Sequence, residues 1–125
     1  MKIQIIYIED TRRAERNKNY KDIISRLGHD DKIEYYDTTE PSVISKLTPD
    51  GIICHSGMSG YNIISYFAKL HGWPLLSYSG SVGSTPYLRK SKDNENVFSV
   101  DSEYFESVIS EFIDYCISRK RDNHE

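Results

Sequence analysis

Glu9, Asp10 and His55 are the residues of this chain with the strongest claim to chemistry. Two adjacent carboxylates, with an imidazole brought to the same edge of a fold, offer three donors to a divalent ion, and that mixture suits a transition metal better than magnesium. The same groups have a plainer use, in which the imidazole hydrogen-bonds a carboxylate and offsets part of a negative site. Small residues form two further runs: Ser56, Gly57, Ser59 and Gly60 follow His55, and Ser79 precedes Gly80 and Ser81. Such runs present backbone N–H groups beside helix starts, which is how a phosphate or nucleotide is cradled. Neither matches a Walker or dinucleotide fingerprint. Ser56 or Ser79 beside His55 lacks a nucleophile-elbow pattern, and neighbours on a strand face opposite sides. No catalytic constellation is complete, so the chain is not expected to be an enzyme.

These residues gain meaning only if the fold gathers them. Ile3 to Ile8 is an almost unbroken apolar, β-branched run, as in a strand covered on both faces of a parallel sheet. Tyr20, Ile23, Ile24 and Leu27 then recur at helical spacing, and Gly28 stands where a left-handed cap ends a helix. Lys32 to Tyr36 reads as a second strand. Thr39 and Pro41 open a short helix bearing Val43, Ile44 and Leu47. After Pro49-Asp50-Gly51 come a third strand at Ile52 to Cys54 and a helix with Ile63, Ile64, Phe67 and Ala68 inward. Leu75 to Tyr78 and Val97 to Val100 are the fourth and fifth strands. Between them, Thr85 to Asn96 has too few periodic apolar residues to define a helix. Asp101 or Ser102 can cap the last helix, where Phe105, Val108, Ile109, Phe112, Ile113 and Cys116 keep a 3.6-residue period. Arg119 onward reads as a solvated, frayed end.

This alternation predicts an α/β fold: a doubly wound, five-stranded parallel sheet in a flavodoxin-like three-layer sandwich. Ligand sites in such sheets lie at the carboxyl ends of the strands, where Glu9, Asp10, His55, Ser56, Ser79 and Gly80 fall. One domain is expected over residues 1–120, with a charged tail at 121–125.

In order and spacing the chain resembles the receiver domains of response regulators in two-component signal transduction. Tyr7-Ile8-Glu9-Asp10 matches the acidic end of the family's first strand, Pro49-Asp50-Gly51-Ile52-Ile53-Cys54-His55 its third, and Pro74-Leu75-Leu76-Ser77-Tyr78-Ser79-Gly80 its fourth. The resemblance implies a magnesium-holding acidic pocket at Glu9 and Asp10 and a switch hydroxyl at Ser79. It puts His55 at the phosphoacceptor position and about Val100 at the lysine position. Acyl-phosphate chemistry needs a carboxylate nucleophile and a neutralising cation, so phosphorylation is not expected at His55. The resemblance therefore implies a pseudo-receiver, a phosphorylation-independent protein-binding module. Its expected contact face is Tyr87 to Lys90, Phe98 and the last helix, meeting a partner or a second copy. Tyr61, Tyr66 and Tyr104 are further candidates for exposed aromatics. The alternative is a small-molecule or nucleotide binder using the Ser/Gly loops.

Composition narrows the classes further. With 16 basic and 19 acidic residues the net charge is -3, which favours neither nucleic acid nor an anionic membrane. No apolar run approaches the roughly 20 residues needed to span a bilayer, and no signal peptide is read. Cys54 and Cys116 lack metal-ligand or CxxC spacing. They read as reduced core residues of a cytoplasmic protein without a resident cofactor.

Overall fold

A computed structural model describes residues 3–10, 14–38, 40–79 and 97–123. Strands β1 (Ile5–Asp10), β2 (Ile33–Thr38), β3 (Gly51–His55), β4 (Leu75–Ser79) and β5 (Val97–Asp101) form one sheet in the order β2-β1-β3-β4-β5. Every pairing is parallel. Helices α1 (Ala14–Arg26), α2 (Tyr61–His71) and α3 (Phe105–Asn123) pack against it. The fold is thus the expected α/β, flavodoxin-like sandwich. The β2–β3 connection holds a 3-10 segment, Pro41–Lys46, in place of an α-helix, and it buries Ile44 completely. The doubtful fourth helix lies outside the described residues. No described helix is long and apolar enough to cross a membrane.

Strand alternation decides which layer each side chain joins. Ile5 and Tyr7 of β1, Ile53 of β3, Leu76 and Tyr78 of β4, and Phe98 and Val100 of β5 pack on one face with α1 and α3. Ile6, Ile8, Ile52, Cys54 and Leu75 pack on the other with Ile44 and with Ile64 and Ala68 of α2. Both faces are covered, which explains the continuous apolar run in β1. Cys54 and Cys116 are free thiols, fully buried in different layers, and burial pushes both far above the usual thiol value.

Local chemistry sets the helix ends. Gly28 has φ 80° beyond α1, where its N–H donates to the Ser25 carbonyl and the His29 N–H to that of Ile24. This is the Schellman arrangement that a Cβ would strain. The Asp101 carboxylate accepts the Glu103 N–H at 3.1 Å, capping the turn that leads into α3. At the other end α3 runs on through Asn123, where the sequence suggested fraying from Arg119. Two of its cations are tied to the sheet's amino edge: Arg119 donates to the Gly72 carbonyl at 3.1 Å, and Lys120 Nζ lies 2.8 Å from Asp50 Oδ2. Asp50 Oδ2 also accepts the Gln4 N–H, at 2.7 Å.

Gly51, the first residue of β3, lets α3 approach the sheet. A Cβ there would stand 2.5 Å from Cys116 Sγ and 3.6 Å from Phe112 Cε2. Gly51→Ala is therefore expected to lose roughly 1–3 kcal/mol of stability through overpacking. Adding Cys116→Ala should restore a large part of it. Urea denaturation of both variants checks this, and a double variant no better than the single would rule out the steric cause.

Candidate functional site at the carboxyl ends of the strands

The sheet order reverses at β1, between β2 and β3, so the carboxyl ends of β1 and β3 flank the topological switch point. Glu9 and Asp10 close β1, and His55 closes β3. Tyr7 pairs with Ile53 at the end of the β1–β3 ladder. Two residues further along each strand stand Glu9 and His55, with the same parity and hence on the α1/α3 face.

Glu9 is fully buried. Tyr78 Oη donates to Glu9 Oε2 at 3.3 Å, and the Tyr7 and Tyr78 hydroxyls are hydrogen-bonded to each other. Because the Tyr78 proton serves the carboxylate, Tyr7 is the donor within the phenol pair. Both rings are fully buried, and burial is the largest cause raising both phenols far above the usual value, with the Glu9 charge adding to it. They stay protonated at neutral pH, so the relay from Tyr7 to Tyr78 to Glu9 is always supplied with donors.

Tyr78 is the centre of this cluster. Its ring lies 4.2 Å from Tyr20 of α1, 5.1 Å from Phe105 of α3 in an edge-on contact, and 5.2 Å from His55 at a 90° interplanar angle. Phe105 also meets Tyr20 edge-on at 4.8 Å. Spacing and contact geometry are those favoured by aromatic quadrupoles. Carboxylate, imidazole and both helices of this face therefore converge on one phenol.

The loop after β3 is organised around its own backbone. Gly57 N–H donates to His55 Nδ1 at 2.8 Å, which leaves the ring proton on Nε2. A Cβ on Gly57 would press to 3.0 Å from the imidazole Cε1. Ser56 N–H donates to the Tyr78 carbonyl, Met58 N–H to that of His55, and Tyr61 N–H to that of Met58. Met58 is buried against the α2 layer, and Gly60 turns into the helix at φ 83°. Four N–H groups that could meet a phosphate thus have partners within the fold.

Other expected site residues are placed differently. Ser79 ends β4 with the parity of Leu75 and Ser77, so it addresses the α2 side rather than the His55 side. Gly80, Ser81 and residues 87–90 lie outside the described residues. Phe98 is 2% exposed, edge-on to Phe112 and Tyr115. It therefore packs the core instead of offering a contact surface. Val100, where the resemblance led us to expect the lysine position, is also buried. Among the described residues no group of three or more His, Cys, Asp and Glu side chains is arranged to hold a metal ion. Two described grooves lie at the opposite, amino end of the sheet. One, of about 460 Å³, and another, of about 260 Å³, share Asp50 and Lys120.

The aromatic members Tyr7, Tyr20, Tyr78 and Phe105 were not among the expected site residues. Their signal was parity: Tyr7 with Glu9, and Tyr78 at the end of β4, keep step with His55. No family model matches the chain, and neither a curated protein nor a solved structure does.

Proposed function

We propose that this chain is a pseudo-receiver, a signalling module that works through protein contacts without phosphotransfer. The observation that carries the reading is the closed relay from Tyr7 through Tyr78 to Glu9, beside a histidine at the phosphoacceptor-equivalent position. In a working receiver the acidic pair must stay open to an ion and to the incoming phosphoryl group. Glu9 has no exposed surface, and one of its oxygens accepts from a phenol. Its place fits an internal anchor better than a ligand to magnesium, so no step in this reading runs through a metal. The engaged N–H groups of the loop weigh in the same direction against a nucleotide cradle.

The test is heteronuclear NMR and intact mass with magnesium, beryllofluoride and acetyl phosphate, on the wild type and on His55→Asp. Neither protein should gain a phosphoryl group, and amides near Glu9, His55 and Ser79 should not move. The variant should fail as well, because Glu9 would still be buried and Val100 would still stand where a lysine is needed. Stable phosphorylation of His55→Asp, or a local response of the wild type, would overturn the reading. A thermal shift with a nucleotide panel would transfer the site to a small ligand.

A further inference from the structure

We propose that the amino edge of the sheet is a binding site for a short zwitterionic peptide, lying extended across the strands with its carboxylate beside Arg119 and Lys120 and its ammonium beside Asp31 and Glu34. The two grooves at this edge, of about 460 and about 260 Å³, adjoin because Asp50 and Lys120 line both. Together they form one trough. The larger takes in Glu34 of β2 and Gln4 ahead of β1, the smaller takes in Trp73 ahead of β4, and Asp50 ahead of β3 stands between them. In the order β2-β1-β3-β4 this course crosses three strand spacings, or about 14 Å. An extended peptide of about four residues has that length.

Charge sets the direction. In the smaller groove Arg119 and Lys120 face one carboxylate, Asp50, with His71 as a further base. In the larger, Asp31, Glu34 and Asp50 outnumber Lys32 and Lys120. The majority sign thus reverses across the largely covered Lys120–Asp50 pair, whose atoms lie 2.8 Å apart. Basic residues beside a helix end answer its carbonyls, as Arg119 does at Gly72, the cap of α2. Capping accounts for the positive half but not for a negative half beside it. A ligand of one sign meets repulsion in one groove or the other, whereas a chain with a charge at each end matches both. The guanidinium fork suits a carboxylate. In the acidic half, Ile3 and Ile33 give an apolar wall to one side chain near the peptide's amino end. Charge contacts open to water are weak, so the dissociation constant is expected on the order of 0.1–1 mM.

The trough lies at the opposite end of the sheet from Glu9 and His55, so it is tested apart from the pseudo-receiver reading. The full chain is titrated with the peptide Ala-Leu-Ala-Ala and with its N-acetylated, C-amidated and doubly blocked forms, following Trp73 emission and the amides of Gln4, Glu34 and Gly72. Blocking either terminus should weaken binding about fivefold, and blocking both should leave no response below about 10 mM. Lys120→Gln should weaken the free peptide by a similar factor and leave the C-amidated form unchanged. Glu34→Gln should likewise weaken the free peptide and leave the N-acetylated form unchanged. The blocked series needs only the wild type, so a variant that fails to fold does not leave the matter open. No response to the free peptide by about 10 mM overturns the proposal, as does a doubly blocked peptide that binds equally well. Amide shifts confined to the carboxyl ends of the strands overturn it too.

Discussion

Phe105→Ala is expected to lose about 3–5 kcal/mol of stability, the range for removing a fully buried phenyl ring. Phe105 has no exposed surface and touches both Tyr20 and Tyr78 edge-on, so it joins the first turn of α3 to α1 and to the end of β4. A domain of this size is stable by roughly 5–15 kcal/mol, so the variant keeps only a part of that margin. Its melting temperature should fall on the order of 10–20 °C. Phe105→Leu, which keeps most of the volume, should recover at least half the loss. Urea denaturation followed by circular dichroism checks both. A loss under about 1 kcal/mol for the alanine variant would mean that the ring is not packed between the two tyrosines.

The second large effect belongs to Tyr78→Phe. That change removes one oxygen and takes a hydrogen-bond partner from two buried groups, the Tyr7 hydroxyl and the Glu9 carboxylate. A buried group deprived of a hydrogen bond costs roughly 1–3 kcal/mol, so with two groups affected the expected loss is about 2–4 kcal/mol. The cause separates cleanly in a series. Glu9→Leu added to Tyr78→Phe should cost less than the sum of the two, and Tyr7→Phe added to both should return the protein towards wild-type stability. A relay broken in the middle leaves polar groups facing a lost partner, and replacing those groups by apolar ones removes that cost. Additive losses across the three substitutions would show that the relay does not act as a unit.

Much of the frame was legible because it is built from short-range rules. The six apolar residues from Phe105 to Cys116 recur at helical period, and all are fully buried in α3. The unbroken apolar run predicted a central β1, and β1 lies inside the sheet. What escaped was decided by distant partners. The apolar run of β1 stops at Ile8, and only the resemblance put Glu9 and Asp10 at the strand's end; in the fold Glu9 pairs with Asp37 and Asp10 with Thr38, so both belong to the ladder. Nothing near Glu9 in the chain announces that a tyrosine 69 positions away will accept the task of satisfying its carboxylate. Arg119 and Lys120 looked solvated for the same reason, since their partners Gly72 and Asp50 lie 47 and 70 positions away. In α2 the two apolar stripes overlap, and periodicity alone does not say which faces inward. Ile63 and Phe67 were expected beside Ile64 and Ala68, but the sheet takes only the latter pair fully. The candidate site was legible as a place, the switch point, but not as a chemistry.

The single tryptophan gives one end of this molecule its own optical signal. Its single tryptophan, Trp73, stands at the amino end of β4 against His71, while Tyr7, Tyr20, Tyr78 and Phe105 gather towards the carboxyl ends. Tryptophan emission therefore reports on the end of α2, where the indole stacks on the His71 imidazole. Near-ultraviolet dichroism in the tyrosine band senses the tightly packed rings of the relay together with the other tyrosines of the chain.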